Sequence, residues 1–186
     1  MLISSLQNQK DLKRLDRINK SVKRLRRLYN ILNYNLKKDI LTIDRVRVDI
    51  SQIVQDRVDY FKELNRNQFI LNLKPLYITI DKIGFEQIID NIIENAMKYS
   101  NRGAKIEIYL EQNSLVIKDY GIGIDSNSLV KIFNRYYQAD SSKDGKGLGL
   151  WLVKGFCDRE NIDLKIVSSP NNGTKVVLDF SKIIKI

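Results

Sequence analysis

The sequence of 186 residues contains no histidine, one cysteine and two prolines. Without an imidazole, the chain itself supplies no histidine base, metal ligand or phosphoacceptor. The single cysteine, Cys157, excludes an internal disulfide, and its apolar helical surroundings predict a buried structural thiol instead of a nucleophile. No apolar run approaches the roughly 20 residues that a membrane-spanning helix needs.

Positive charge is concentrated at the N-terminal end of the chain. Residues 1–48 contain 13 Lys/Arg and 4 Asp/Glu, whereas residues 49–186 contain 19 and 18. A basic segment can contact nucleic acid or an anionic membrane. A solvated helix face, or a surface for an acidic protein, is the simpler interpretation. We therefore expect no nucleic-acid partner.

Apolar residues between positions 10 and 38 alternate spacings of three and four, which is the a/d pattern of a coiled coil or helical bundle. They are Leu15, Ile18, Val22, Leu25, Tyr29, Leu32 and Leu36. One helix cannot bury such a seam alone, so we expect a dimer, a missing partner helix, or both. Residues 1–40 are predicted to be one helix of a dimerising bundle, and residues 41–186 a separate domain.

Strand and helix patterns are mixed along the rest of the chain. Strands are predicted around 46–48, 69–73, 77–80, 104–111, 114–118, 164–167 and 175–180. Helices are predicted after Asp49 (a capping box with Gln52), from the N-cap Asp81 to a stop at 101–103, at 128–133 and at 148–158. Residues 138–146 are predicted to be a loop. This order predicts an α/β fold with one mixed sheet covered on one face by helices.

The helix after Asp81 carries a narrow polar stripe made of Asn91, Glu94, Asn95 and Lys98. Its opposite arc is apolar, so the helix is expected to be buried. Two carboxamides, a carboxylate and an ammonium can hold a hydrated divalent cation against a polyphosphate. Taken alone, the stripe fits an ordinary solvated helix face equally well.

Two glycine-containing segments follow. Asp119 ends a predicted strand and precedes Gly121 and Gly123, so its carboxylate is free to accept a hydrogen bond from an exocyclic amine while the glycines permit close backbone approach. Residues 145–150 read Gly-Lys-Gly-Leu-Gly-Leu and open a helix, where free backbone N–H groups suit a phosphate. The spacing is not that of a Walker A loop.

Together these segments resemble the ATP-binding domain of sensor histidine kinases. Residues 95–100, 119–123, 133–137 and 145–150 are similar to the family's N, G1, F and G2 boxes, in the same order. The resemblance covers residues 45–181. It implies a two-layer α/β sandwich of the GHKL or Bergerat type, with ATP between the polar helix and a mobile lid. The long N-terminal helix resembles the second helix of the family's dimerisation and phosphotransfer hairpin.

The resemblance implies a set of residues that contact ATP or Mg²⁺. Asn95 would ligate the metal, Asp119 would accept the adenine amine, and Phe133 would anchor the lid. The glycines of the last segment would wrap the phosphates and hinge the lid. The full set is Asn91, Asn95, Lys98, Tyr99, Asp119, Gly121, Gly123, Ile124, Phe133, Gly145, Lys146, Gly147, Leu148 and Gly149.

The resemblance also implies catalytic roles for Glu94, Asn95, Lys98 and Arg135. Glu94 is the candidate proton acceptor for the attacked imidazole, and Arg135 the candidate for the terminal phosphate or for the docked helix pair. The gyrase, Hsp90 and MutL types of ATPase place a water-activating Glu four residues before the metal-binding Asn. Asn91 occupies that position here, and a neutral amide cannot act as a base for water. Transfer to a side chain is therefore favoured over hydrolysis.

Because histidine is absent, the chain is expected to bind ATP but not to phosphorylate itself on histidine. The resemblance implies a His-bearing helix elsewhere in the same full-length kinase, a homodimer, and the receiver domain of a response regulator as partner. It also implies a cytoplasmic domain of a membrane-anchored protein. The alternatives are a serine kinase of the anti-sigma type, and a nucleotide-binding pseudo-kinase or dimerisation scaffold.

Overall fold

The computed structural model describes residues 11, 14, 17, 18, 21, 22, 25, 44–138 and 147–184. The chain divides into two compact units, Met1–Ile43 and Asp44–Ile186. The described residues of the first unit are helical, and Ile18, Val22 and Leu25 are exposed. The rest of the predicted heptad seam lies outside the described residues, so its assignment to a helical hairpin stays a prediction. No helix among the described residues is long and apolar enough to cross a membrane.

The second unit contains a five-stranded mixed sheet in the order β2-β4-β5-β7-β6, in which only β2 and β4 are parallel. Its elements are β1 Val46–Asp49, α1 Ile50–Lys62, β2 Gln68–Leu73, β3 Tyr77–Ile80, α2 Lys82–Tyr99, β4 Lys105–Glu111, β5 Ser114–Asp119, α3 Ser126–Leu129, α4 Gly149–Glu160, β6 Asp163–Ser168 and β7 Thr174–Asp179. The predicted α/β class is confirmed. The prediction of a single sheet was wrong, because β1 and β3 pair with each other in a separate antiparallel sheet.

The core lies between the sheet and the helices. Alternate residues of β4 and β5 point to one face and are buried, as the period of two in a strand requires. The apolar arc of α2 is buried against them, as predicted. Phe85 of α2 and Phe180 after β7 are fully buried and meet edge to face, with ring centroids 6.0 Å apart. Since α2 also packs on α1 and α4, it is the central helix of the layer.

Several predicted helix boundaries need correction. The N-cap at Asp49 is confirmed, but the Gln52 amide donates to Asp56, one turn further on, which leaves only half of the proposed capping box. The third helix begins at Ser126 and ends at Leu129, earlier than predicted, because Asp125 caps it. The central helix ends at Tyr99 with Ser100 in an extended conformation, so Gly103 belongs to the following turn and is not the helix C′ residue.

A chain of buried charges joins the start of α2 to the end of α4. One oxygen of Asp81, the predicted N-cap, accepts from the backbone N–H of Gly84 at 2.9 Å, and the other accepts from Arg159 at 3.0 Å. Arg159 also donates to Glu160 at 3.2 Å. Both carboxylates are buried. Glu160 also accepts from Arg45 at 2.9 Å, so removing Asp81 costs Arg159 one of its two acidic partners while Glu160 keeps both arginines.

We expect Asp81→Ala to lower the free energy of unfolding by about 2–4 kcal/mol, since it removes an N-cap and one charged hydrogen bond of the partly buried Arg159. Asp81→Asn keeps an acceptor for the cap and should cost less. Urea denaturation monitored by circular dichroism measures both values. A loss below about 1 kcal/mol for the alanine variant would show that this charge chain does not stabilise the fold.

Candidate functional site

The polar stripe of α2 lies against the first turn of α4. The Asn91 amide nitrogen donates to the Gln87 carbonyl at 2.9 Å, which leaves its oxygen directed away from the α2 backbone. A Cβ atom built on Gly149 would lie 3.4 Å from that oxygen and 3.6 Å from the amide nitrogen of Asn95. Gly149 thus brings the backbone of α4 close to both amides. Asn91, Glu94, Asn95 and Lys98 are all half-buried.

The start of α4 differs from the starts of the other helices in this unit. Asp49, Asp81 and Asp125 cap α1, α2 and α3 with their side chains. At Leu148, the N-cap of α4, no side chain makes the capping hydrogen bond. The positive end of the α4 helix dipole therefore lies next to the amides that approach Gly149, an arrangement that suits an anion.

Lys98 and Tyr99 form one unit at the end of the stripe. The Lys98 ammonium donates to the Tyr99 hydroxyl at 3.0 Å and lies 4.6 Å from the centroid of its ring. The cation–π contact holds the flexible lysine side chain close to the helix. The positive charge is therefore held at the Tyr99 ring, at the C-terminal end of the stripe.

Asp119 lies at the end of β5, as predicted, and its carboxylate is buried. It is 6% exposed, and its Oδ1 atom accepts from the backbone N–H groups of Gly121 at 2.8 Å and Thr174 at 3.2 Å. Burial raises the pKa of Asp119, although these two hydrogen bonds partly oppose the shift. No described residue donates to its second oxygen, Oδ2. One oxygen is therefore held by the protein while the other can accept from a ligand.

The backbone around Asp119 is crowded enough to require glycine. A Cβ atom on Gly121 would lie 2.2 Å from the Tyr99 carbonyl oxygen, and one on Gly123 would lie 1.9 Å from the Ser169 carbonyl oxygen. Gly123 also has φ +69°, in the left-handed region. The loop after β5 is thereby fixed to the end of α2, where the polar stripe ends.

Two hydroxyl residues that support this loop are missing from the predicted set. Ser168 accepts from the backbone N–H of Ile124 at 2.9 Å and donates to the Gly173 carbonyl at 2.7 Å. Its hydroxyl also lies 3.0 Å from that of Thr174, whose N–H donates to Asp119. In the sequence, the pair Gly173-Thr174 at the start of the last strand was the signal that could have identified these hydroxyl residues. Its link to Asp119 depends on strand pairing.

The segment after α3 is joined to the residue before Leu148. The Tyr136 N–H donates to the Gly147 carbonyl at 2.9 Å, and the Tyr137 hydroxyl meets that of Ser128 at 3.0 Å. Phe133 is half-buried, whereas its neighbour Ile132 is buried. The predicted anchoring role of Phe133 stays a prediction. The predicted contacts of Gly145 and Lys146 lie outside the described residues.

A second concavity of about 440 Å³ lies on the other face of the sheet, and none of the predicted ATP-site residues lines it. Glu107 and Tyr109 are among its lining residues, and the hydrogen bond to Glu107 raises the pKa of Tyr109 to about 12. Glu107 also accepts a hydrogen bond from the Tyr120 hydroxyl at 2.8 Å. We assign no function to this surface.

Comparison with known proteins gives a consistent result. Residues 80–183 match the family described as histidine kinase-, DNA gyrase B-, and HSP90-like ATPase. The sensor histidine kinase YvrG of Bacillus subtilis is 31% identical over 163 residues, covering 81% of this chain and 28% of that protein. The sensor protein kinase WalK of Staphylococcus haemolyticus is 31% identical over 166 residues, covering 77% of this chain and 27% of that protein. The chain thus spans less than a third of these relatives.

Solved structures show the same fold. The mycobacterial sensor histidine kinase MprB superposes with a TM-score of 0.66 at 23% identity, covering 72% of this chain and 95% of that one. Full-length ShkA in complex with AMPPNP gives a TM-score of 0.67 at 18% identity, covering 80% of this chain and 34% of that one. The region that matches the family contains α2, Asp119 and α4. The chain therefore belongs to the histidine kinase-, DNA gyrase B- and HSP90-like ATPase family, as a catalytic region of the sensor histidine kinase type.

Proposed function

We propose that this chain binds ATP with Mg²⁺ and transfers the terminal phosphoryl group to a histidine that lies outside this sequence. The observation that carries the proposal is the approach of the Asn91 and Asn95 amides to Gly149, at the uncapped start of α4. A triphosphate carrying Mg²⁺ and placed there would meet the positive end of α4 and the two amides, with the Lys98 ammonium further along the stripe. Asp119 lies near the Lys98 end of the stripe, because its loop contacts Tyr99, and its Oδ2 atom would accept from the adenine amine.

The donor set suits Mg²⁺ that arrives with the nucleotide. Among the described residues there is no group of three or more His, Cys, Asp or Glu that could form a metal cage. Magnesium in phosphate-transferring sites is commonly held by one or two protein oxygens together with substrate phosphates and water. Asn95 would supply the protein oxygen, with Asn91 beside it. The bound metal would neutralise charge on the phosphates.

Phosphoryl transfer needs an acceptor nitrogen and a place for its proton. In the proposed reaction the imidazole nitrogen bonds to the terminal phosphorus, the bond to the bridging oxygen breaks, and ADP leaves. Glu94, half-buried on the same stripe, would accept the imidazole proton. Lys98 would offset the negative charge of the phosphates, and Arg135 would contact the terminal phosphate. The Asn91 amide nitrogen is already bonded to Gln87, and an amide cannot activate water, which favours transfer over hydrolysis.

The proposal extends to the whole protein through its relatives. The similar proteins YvrG and WalK are named as sensor kinases, and this chain covers only part of each. We propose that the full-length protein is a membrane-anchored homodimer that carries its phosphoacceptor histidine on a helix outside this sequence. Its phosphoryl group would pass to an aspartate of a response-regulator receiver domain.

Calorimetric titration with ATP analogues tests the nucleotide site. We expect AMPPNP to bind with a Kd below about 1 mM in the presence of Mg²⁺, and more weakly after chelation with EDTA. Absence of saturable binding at several millimolar nucleotide would overturn the proposal. Incubation with ATP and a separately expressed His-bearing helical hairpin should then produce acid-labile, alkali-stable phosphate on the hairpin. Acid-stable phosphate on a serine partner would instead favour the anti-sigma type of kinase.

A further inference from the structure

The exposed Arg135 guanidinium lies close to two aromatic rings. Its central carbon is 4.9 Å from the ring centroid of Tyr136 and 5.2 Å from that of Trp151. No described residue accepts a hydrogen bond from it or forms an ion pair with it. Aromatic rings commonly stack on the faces of a guanidinium, which keeps the N–H donors at its edges available for hydrogen bonds. The Arg135 guanidinium therefore contacts two rings while its N–H groups can still donate hydrogen bonds to a ligand.

The backbone fixes this group at the start of α4. Tyr136 has φ +66°, in the left-handed region that a tyrosine rarely adopts, and its N–H donates to the Gly147 carbonyl. A Cβ atom on Gly147 would lie 2.3 Å from the Tyr137 carbonyl oxygen, so a glycine is needed for this approach. An uncommon conformation kept by its surroundings suggests a functional constraint on this turn.

Helix geometry places Arg135 opposite the amide stripe. Trp151 is the third residue of α4, and helical side chains lean towards the N-terminus, so its indole covers the first turn. Two positions along a helix correspond to about 200° of rotation, which puts Trp151 on the side of α4 away from Gly149. The amides of Asn91 and Asn95 approach Gly149. At the start of α4, the two amides thus lie on the Gly149 side of the helix and Arg135 lies on the Trp151 side.

We propose that Trp151 and Tyr136 are positioning residues that hold the Arg135 guanidinium flat, so that its N–H groups bind an oxygen of the terminal phosphate of the nucleotide. This inference rests on the proposed ATP site. It adds that selectivity for a triphosphate over a diphosphate depends on the two rings as well as on the arginine. The planar fork of Arg matches a phosphate, and a lysine would neither stack nor bind in this way.

The experiment compares the Kd values of ADP and AMPPNP by calorimetry for matched variants. Arg135→Ala should reduce the preference for AMPPNP by about tenfold or more while leaving ADP affinity nearly unchanged. Trp151→Leu should reduce the same preference about threefold to tenfold, and Trp151→Phe should restore most of it because a ring is retained. Tyr77→Leu is the control, since it removes a similar cation–π partner from Arg47, 5.9 Å away, in the separate β1–β3 sheet.

Trp151 is the only tryptophan, so its fluorescence gives an independent readout. We expect a larger change in emission with AMPPNP than with ADP. Equal changes, or a Trp151→Leu variant that weakens both nucleotides equally, would overturn the inference. Normal discrimination combined with slower phosphoryl transfer to a separate hairpin would also overturn it, and would place Arg135 at a docking surface. Failure of the unmodified chain to bind either nucleotide would instead refute the underlying ATP site.

Discussion

Asp119→Asn is expected to abolish adenine-nucleotide binding without weakening the fold. Asparagine can keep its oxygen at the Oδ1 position, where it still accepts from Gly121 and Thr174. Its amide NH₂ then replaces the free oxygen Oδ2. Two hydrogen-bond donors, this NH₂ and the adenine amine, would face each other. Loss of a buried charge-assisted hydrogen bond, together with an unpaired polar group, should weaken ADP and AMPPNP binding by at least about a hundredfold.

The same substitution should not destabilise the protein, because the folded state disfavours the ionised form of Asp119. Burial raises the pKa of this carboxyl above its ordinary value of 3.8. A raised folded-state pKa means that ionisation costs stability at pH values above it, whereas below the unfolded pKa this cost is absent. The free energy of unfolding of the wild type should therefore fall as the pH rises from the unfolded-state pKa of Asp119 through its folded-state pKa. At pH 7 the uncharged Asp119→Asn variant should unfold at an equal or higher temperature than the wild type.

Inosine nucleotides provide the internal control for this prediction. Inosine resembles adenosine but carries a carbonyl oxygen in place of the exocyclic amine, so the amide introduced by Asp119→Asn can donate to it. Calorimetry should show that the variant prefers IDP to ADP, the reverse of the wild-type order. If the variant binds ADP as tightly as the wild type, Asp119 does not recognise the adenine base. If it binds neither nucleotide and also melts at a lower temperature, the pH 7 stability argument is wrong.

Local signals predicted most of the elements that build the site. The N-cap at Asp81 and the apolar arc of α2 both depend on residues close in sequence, and both are confirmed. The turn between β4 and β5 was also readable, since Gln112 and Asn113 adopt φ values of 46° and 65°, as a tight two-residue hairpin requires. Short-range spacing determines such features, so the sequence is sufficient to predict them.

Contacts between distant segments could not be predicted in this way. The pairing of β1 with β3 in a sheet of its own depends on strand register, which no local pattern determines. The hydrogen bond from the Thr174 N–H to Asp119 joins residues 55 positions apart. Likewise, Arg135 was a candidate from the resemblance, but its stacking on Trp151 required the path of the chain around α4. The missed features are those that arrange the site residues relative to one another.

Asn95→Ala is expected to remove the Mg²⁺-dependent part of nucleotide binding. The half-buried Asn95 amide lies beside Gly149 at the start of α4, where the phosphates are proposed to bind. Alanine favours the helix and removes little apolar contact, so the fold should be retained. Without the amide oxygen, AMPPNP should bind equally well with Mg²⁺ and with EDTA. Phosphoryl transfer to an added His-bearing hairpin should fall at least about a hundredfold, because charge on the phosphates is no longer neutralised in place.

Two further variants separate a metal role from a packing role. Asn95→Asp supplies an oxygen ligand of the type that Mg²⁺ prefers, so part of the Mg²⁺ dependence should return, although the added charge repels the phosphates. Asn72→Ala is the matched control, since the Asn72 amide bonds only to the exposed Glu111 at 3.2 Å among the described residues, and its loss should change neither binding nor transfer. If Asn95→Ala keeps a full response to Mg²⁺, the metal is held elsewhere, and the half-buried Glu94 on the same stripe becomes the ligand to test next by Glu94→Gln.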